Sequence, residues 1–322
     1  MPEPDPAAVD IVEVVATKRS AHHAFVNWFC NHSAQPLVCF NNVWPTSPPR
    51  LRHVRVAHAD LTTTDAALKC SPLELLTSFP LLTVLNFEGR LLTNIDHWNR
   101  EFLAPRTPKN LRKLLFLRDP VNTAASLAWR TRTYDYIDLF RFFHQIHAIE
   151  DLLTAAVAAP ATAVADEVVP FWRWQEDDGF RRDLARRWRL RASALPEHVS
   201  RFGGGSSFGD TAFAGDDRRR LYARWRQALH SPLFLAPFTD DRFCALTRAY
   251  IDALGHGADV AVADLDTVVH TARGSERAAR WKRRFLDGLR AGRALLVELE
   301  RSPSRPYREY LRARLRLRLA RG

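Results

Sequence analysis

Six consecutive residues, Lys18-Arg19-Ser20-Ala21-His22-His23, place two cations, a hydroxyl and two imidazoles in one short turn. The apolar run Ile11, Val12, Val14, Val15 leads into it, and Ala24, Phe25, Trp28 and Phe29 follow at helical spacing. A strand that feeds a helix through a basic loop aims backbone N–H groups at one point, which is a natural seat for a phosphate- or sulfate-like anion. The turn lacks the Gly-x-x-x-x-Gly-Lys-Ser/Thr pattern in which a hydroxyl holds Mg²⁺. Its two cations, the Ser20 hydroxyl at the expected helix N-cap and two imidazoles on the first helical turn can hold an anion without a metal. The plainer alternative is a loop whose cations face solvent and whose histidines cap the helix.

A second group of residues has the same character. Leu114 to Leu117 reads as a strand that ends in Arg118-Asp119-Pro120. Pro120 suits the first turn of a helix. Ser126 then falls about two turns in, where it and Arg118 can share a phosphate. An Arg118–Asp119 surface pair beside an ordinary helical serine is the bland alternative.

These residues need a scaffold that brings loop ends together. Four apolar runs, Ile11–Val15, Leu37–Phe40, Leu82–Phe87 and Lys113–Leu117, alternate with helical patterns in the first half of the chain. Short continuous apolar runs predict parallel strands buried on both faces, and the alternation predicts an α/β sheet with crossover helices. Ala161 to Val169 is a candidate fifth strand. Ligands bind such sheets at the carboxyl ends of the strands. That directs attention to Lys18–His23, Asn41-Asn42, Glu88-Gly89-Arg90 and Arg118–Pro120. The second half reads as mostly helical, interrupted by Gly203-Gly204-Gly205-Ser206-Ser207-Phe208-Gly209, which is too flexible for a regular element. This segment either wraps an anion with its backbone N–H groups or links two helices.

The net charge of +11 suggests nucleic acid until it is located. Residues 275–322 carry a net of +10, so the body of the chain is nearly neutral and no nucleic-acid partner is expected. A composition that is 46% hydrophobic with nine Trp describes a globular protein. No apolar run is long enough to cross a bilayer, and the acidic, proline-rich start lacks the features of a signal peptide. Cys30, Cys39, Cys70 and Cys244 have no metal-ligand spacing and read as reduced cysteines, so a cytoplasmic location is expected. Gly255-His256-Gly257 suggests a boundary between a domain at 9–255 and a basic, mostly helical extension at 256–322. Trp281 to Glu300 reads as an amphipathic helix with Trp281, Phe285, Leu289 and Leu296 on one face. The basic end offers peripheral contact with an anionic surface, or packs on the domain as a solvated helix.

Together these motifs resemble the sulfotransferases that use 3′-phosphoadenosine 5′-phosphosulfate (PAPS). The likeness is strongest to bacterial members with a His-His first loop, and it spans roughly Asp10 to Leu254. Arg19-Ser20-Ala21-His22-His23 lies on the Arg/Lys-Ser-Gly-Thr-Thr motif that cradles the 5′-phosphosulfate. Arg118-Asp119-Pro120 with Ser126 matches the motif that grips the 3′-phosphate. Arg201 to Phe208, with Trp225 after it, is similar to the late glycine-rich cofactor loop. The resemblance implies a P-loop-like three-layer α/β sandwich with a central parallel sheet flanked by helices. It implies sulfuryl transfer from PAPS, with no metal required, to a hydroxyl or amine on a small-molecule or glycan acceptor.

Under that resemblance Lys18, Arg19, Ser20, Ala21, His22, His23, Arg118, Ser126, Gly203, Gly204, Gly205, Ser206 and Ser207 are the expected cofactor contacts. Arg19 is the expected leaving-group cation, with Lys18 as its alternate. Glu88 is the leading candidate for the base, with His23 and His97 in reserve, and an ion pair of Glu88 with Arg90 or Arg118 is the competing role. Ala21 stands where the family has glycine, so that position either keeps negative φ or the loop is displaced. Cofactor affinity is expected to fall as pH rises through the histidine range. Trp28, Trp129 and Trp225 can stack on adenine or belong to the core. A kinase-like phosphotransferase and a non-catalytic nucleotide- or polyanion-binding module are the other readings of the same residues.

Overall fold

The computed structural model describes residues 11–45, 53–57, 63–65, 82–103, 110–131, 135–162, 165–191, 194–195, 224–254 and 262–301, with single residues at 309 and 313. Strands β1 (Ile11–Ala16), β2 (Leu37–Asn41), β5 (Leu82–Glu88), β6 (Leu111–Leu117) and β7 (Glu167–Pro170) form a five-strand parallel sheet in the order β2-β5-β1-β6-β7. The four apolar runs read from the sequence are all strands of it. The candidate fifth run is divided: residues 161–162 still belong to a helix, and the strand begins at Glu167. Two further strands, β3 (His53–Ala57) and β4 (Thr63–Asp65), add an antiparallel edge beside β2 that the sequence reading did not anticipate.

β1 lies at the centre of the parallel strands and is buried along its whole length. Its side chains alternate between two cores, as the pleat requires. Val12, Val14 and Ala16 join a cluster with Phe25, Trp28, Phe29, Phe116, Trp174 and Leu184. Ile11 and Val15 join the opposite cluster with Phe87, Leu115, Phe142, Phe143 and Ile146. Helices therefore cover both faces, in keeping with a three-layer sandwich. On the first face lie α1 (His22–His32) and the pair α5 (Phe171–Glu176) and α6 (Asp178–Arg187). On the second lie α2 (Leu92–Trp98), α3 (Pro120–Arg130) and the long α4 (Tyr136–Thr162).

Residues 224–254 and 262–301 pack on the second face. They form α7 (Arg224–Ala228), α8 (Pro232–Leu235), a 3₁₀ turn, α9 (Asp241–Leu254), α10 (Val262–Arg273), α11 (Glu276–Trp281), a π-helical turn (Lys282–Asp287), α12 (Gly288–Ala291) and α13 (Arg293–Arg301). Phe285, Leu289 and Leu296, expected on one helix face, share the core of the α/β sheet, and Phe285 stacks on Phe143 with centroids 5.3 Å apart. The expected single helix from Trp281 to Glu300 is interrupted, because Gly292 separates α12 from α13. Arg290 ties this region down. It pairs with Glu150 on α4 and donates to both oxygens of Asp240 at 2.8 Å. Burial works against ionising Asp240, yet Arg290 and the Phe243 N–H hold its carboxyl at about 2.

No helix among the described residues is long and apolar enough to cross a membrane. Cys30, Cys39 and Cys244 are free, and Cys70 lies outside the described residues. The expected boundary at residues 255–257 and the proline-containing tail after residue 301, apart from residues 309 and 313, also lie outside them.

Candidate anion and active site

The sheet register brings the loop ends together. Ala16, the last residue of β1, pairs with Glu88 on β5 and with Phe116 on β6. The Gly89 N–H donates to the Ala16 carbonyl at 2.7 Å, so β5 closes against the start of the basic turn. Gly89 has φ +62°, and a Cβ there would collide with the Gln145 amide of α4. That amide donates to the Gly89 carbonyl at 3.4 Å. The turn after β1, Glu88 and Arg118 thus leave one edge of three adjacent strands.

The turn itself is conformationally costly. Arg19 and Ala21 both have φ 67°, a left-handed conformation that L-residues adopt at about 1–2 kcal/mol each. Ala21 therefore keeps the glycine-like backbone and not the negative φ that its side chain favours. It is also the N-cap of α1, and it supplies no capping side chain. Ser20, the hydroxyl expected at that cap, is fully buried and donates to the Thr17 carbonyl at 2.8 Å. Its oxygen lies 3.3 Å from His22 Nδ1. The only hydroxyl hydrogen is committed to Thr17, so Ser20 accepts from His22 Nδ1–H. That bond selects the tautomer in which His22 Nε2 carries a lone pair.

Glu88, 16% exposed, stands opposite the two imidazoles. Its Oε1 is 4.0 Å from His22 Nε2 and 3.9 Å from His23 Nε2, and the two rings are tilted 40° to each other with centroids 4.0 Å apart. The expected partner Arg90 turns toward Asn42 Oδ1 at 3.3 Å and lies 3.6 Å over the Trp44 ring. Burial lowers the Lys18 ammonium from its usual value; Glu88 opposes this, while Arg90 and Arg141 add to it. Burial also lowers Arg19, helped by Arg130 and Arg118 and opposed by Glu88. Cations from five segments thus repel one another around the basic turn, where Glu88 opposes them, an arrangement that an anion relieves. The sequence reading missed Arg130 and Arg141, which are ordinary exposed helix residues until the sheet edge collects them.

His22 differs from expectation. Burial, and then the charges of His23, Arg19 and Lys18, hold it well below the usual histidine value. It stays neutral at physiological pH, so a loss of anion affinity through the histidine range does not come from His22.

Arg118 is buried at the tip of β6, 3.8 Å from Asp119 and 5.3 Å over the Phe171 ring. The pair is therefore not a surface pair. Asp119 caps α3 by accepting from the Asn122 N–H at 2.6 Å, and Pro120 opens that helix as its position suggests. Burial pushes the Asp119 carboxyl up, against Arg118 and Asn122. Ser126 is buried further along α3. Gly203, Gly204, Gly205, Ser206 and Ser207 lie outside the described residues. The described residues begin again at Arg224, and the Trp225 backbone N–H donates to Asn122 Oδ1 at 3.3 Å, in the first turn of α3 beside Arg118.

Four aromatic or imidazole candidates remain. Trp28 is a core residue, edge-on to Trp174 at 6.0 Å, and Trp225 is buried against α3. Trp129 is 57% exposed at the far end of α3. His97 is flanked by Asp96, which pairs with Lys113, and by Asn99, which donates to Glu13 at 2.9 Å. Those partners lie in the first halves of β6 and β1, so His97 stands away from the edge that carries Glu88.

Compared with protein-family models, curated proteins and solved structures, the chain matches none of them.

Proposed function

We propose that this protein transfers a sulfuryl group from PAPS to a hydroxyl or amine of a small-molecule or glycan acceptor, on a P-loop-like α/β scaffold. One observation carries the reading. The basic turn after β1 and the arginine that follows β6 leave the same edge of neighbouring strands, and the Arg118 charge lies within electrostatic range of the Arg19 guanidinium. A ligand with anionic groups at two ends can engage both cations, which a single phosphate held in the basic turn does not require. The uncapped start of α1 and the left-handed turn supply backbone donors for one end. Arg118, with Ser126 on the following helix, serves the other.

The donor supplies an activated sulfuryl group, and transfer is an in-line displacement that places negative charge on the leaving phosphate. Arg19 stabilises that charge, with Lys18 beside it, an effect on the order of 3 kcal/mol for one well-placed donor. His23 donates to a sulfuryl oxygen. Glu88, at the carboxyl end of β5, accepts the proton from the acceptor.

Titration with 3′,5′-adenosine bisphosphate in the absence of Mg²⁺ tests the reading. Binding under those conditions, with transfer of labelled sulfate from PAPS to a panel of hydroxyl and amine acceptors, is the expected result. Preference for Mg·ATP over the bisphosphate would refute it in favour of a phosphotransferase. Nucleotide binding with no sulfate transfer to any acceptor would leave a binding module.

A further inference from the structure

The space between Glu88 and the two histidines has a chemistry of its own. His22 is 1% exposed, and among the described residues its Nε2 has no hydrogen-bond partner. Ser20 fixes the tautomer from the other side of the ring, so this nitrogen presents a lone pair. It faces a carboxylate oxygen at 4.0 Å, an atom that also only accepts when ionised. Two electron-pair donors aimed at each other across that distance are complementary to a cation placed between them. His23 Nε2 completes the group, with all three atoms within 4.8 Å of one another.

We propose that His22 Nε2, His23 Nε2 and Glu88 Oε1 form a three-ligand site for a divalent transition metal of the zinc class. Two imidazoles and one carboxylate are a donor set that zinc accepts, with bonds of about 2.0–2.1 Å that place tetrahedral ligand atoms about 3.3 Å apart. The present separations of 3.9 and 4.0 Å close to that value with side-chain shifts below an ångström. The Thr17 carbonyl, Ser20 hydroxyl and His22 Nδ1–H form the outer hydrogen-bond chain that orients a ligating histidine. Glu88 and His23 are partly exposed, which leaves the fourth position open. Lys18 and Arg19 lie beside the site and oppose a bare cation, so the metal takes an anionic fourth ligand. This inference does not rest on sulfuryl transfer. Where both hold, the metal withdraws Glu88 from proton transfer, and the loaded protein is the inhibited form.

The test is metal titration of the chelator-treated full chain without nucleotide, with Zn²⁺ followed by calorimetry and Co²⁺ followed by visible absorption. One equivalent should bind, and the cobalt spectrum should show nitrogen and oxygen ligation. Glu88→Gln and His22→Ala should each weaken binding at least ~10-fold, and Ser20→Ala by ~10–100-fold with stoichiometry kept. His32→Ala, whose ring bonds the Ala194 carbonyl far from Glu88, should bind as the native chain does. Circular dichroism identifies any variant that fails to fold, and the isosteric Glu88→Gln then carries the result. No stoichiometric uptake, a thiolate-to-cobalt band, or binding unchanged in Glu88→Gln would each overturn the proposal. Because nucleotide is absent, its failure leaves the bisphosphate titration untouched.

Discussion

Glu13 is an acidic residue in the middle of a central strand, and it makes the stability of the fold depend on pH. The side chain is fully buried between β5 and β6, opposite Lys113 in the β6 register. Asn99 donates to Oε2 at 2.9 Å, while among the described residues Oε1 has no partner. Burial pushes the carboxyl from 4.5 up to about 7, opposed by Lys113 and Asn99 and reinforced by Asp96 and Asp166. The folded state therefore keeps a proton that the unfolded chain releases. Its contribution to stability is fully present below pH 4.5 and is lost as pH rises to about 7. At about 1.4 kcal/mol per pH unit the loss is on the order of 3 kcal/mol. Glu13→Gln keeps the shape and the Asn99 bond but does not titrate. Urea denaturation from pH 5 to pH 8 should show the variant close to the native chain at the acid end. It should gain by up to ~3 kcal/mol at the alkaline end. A stability difference that does not change with pH would refute the reasoning.

Arg118→Ala should weaken binding of 3′,5′-adenosine bisphosphate at least ~10-fold while changing affinity for a nucleotide without the 3′-phosphate little; equal losses for both ligands would remove Arg118 from its assigned end. Glu88→Gln should retain bisphosphate binding and lose turnover ~10²–10⁴-fold, and retained turnover would move the base role to a histidine. Ala21→Gly should raise stability by about 0.5–1 kcal/mol in chemical denaturation, because relief of the left-handed strain outweighs the added freedom of the unfolded chain. Arg290→Ala should destabilise by ~3–5 kcal/mol, since it leaves the Glu150 and Asp240 carboxylates buried without their shared cation; a thermal or denaturant midpoint near the native value would show that the pair is not coupled as the geometry implies.

Four of the five parallel strands were legible because each is a short, mostly apolar run between helical patterns, the pattern of a strand covered on both faces. The turn at Pro120 was legible for a similar local reason, since a proline after a strand opens a helix there, whereas the Asp119 cap on that helix appeared only in the structure. β3 and β4 were not legible, because His53–Ala57 mixes charged and apolar residues and holds its place by pairing with the edge of β2. Ser20 looked like a helix cap in one dimension, but the Thr17 carbonyl reached it first. The same bond sets the tautomer of His22, which no spacing rule expresses.

Residue types and local periodicity alone determined that an α/β sheet would form, that a basic turn would follow its first strand, and that an arginine would end a later one. Only the tertiary structure decided that β5 and β6 flank β1. That adjacency sets Glu88 against His22 and His23 and brings Arg118, Arg130 and Arg141 into the field of the basic turn. The physical reason is range. Strand and helix preferences come from neighbours a few residues apart, whereas the order of strands is settled by the burial of two opposite faces at once. The charges meet only after that choice has been made.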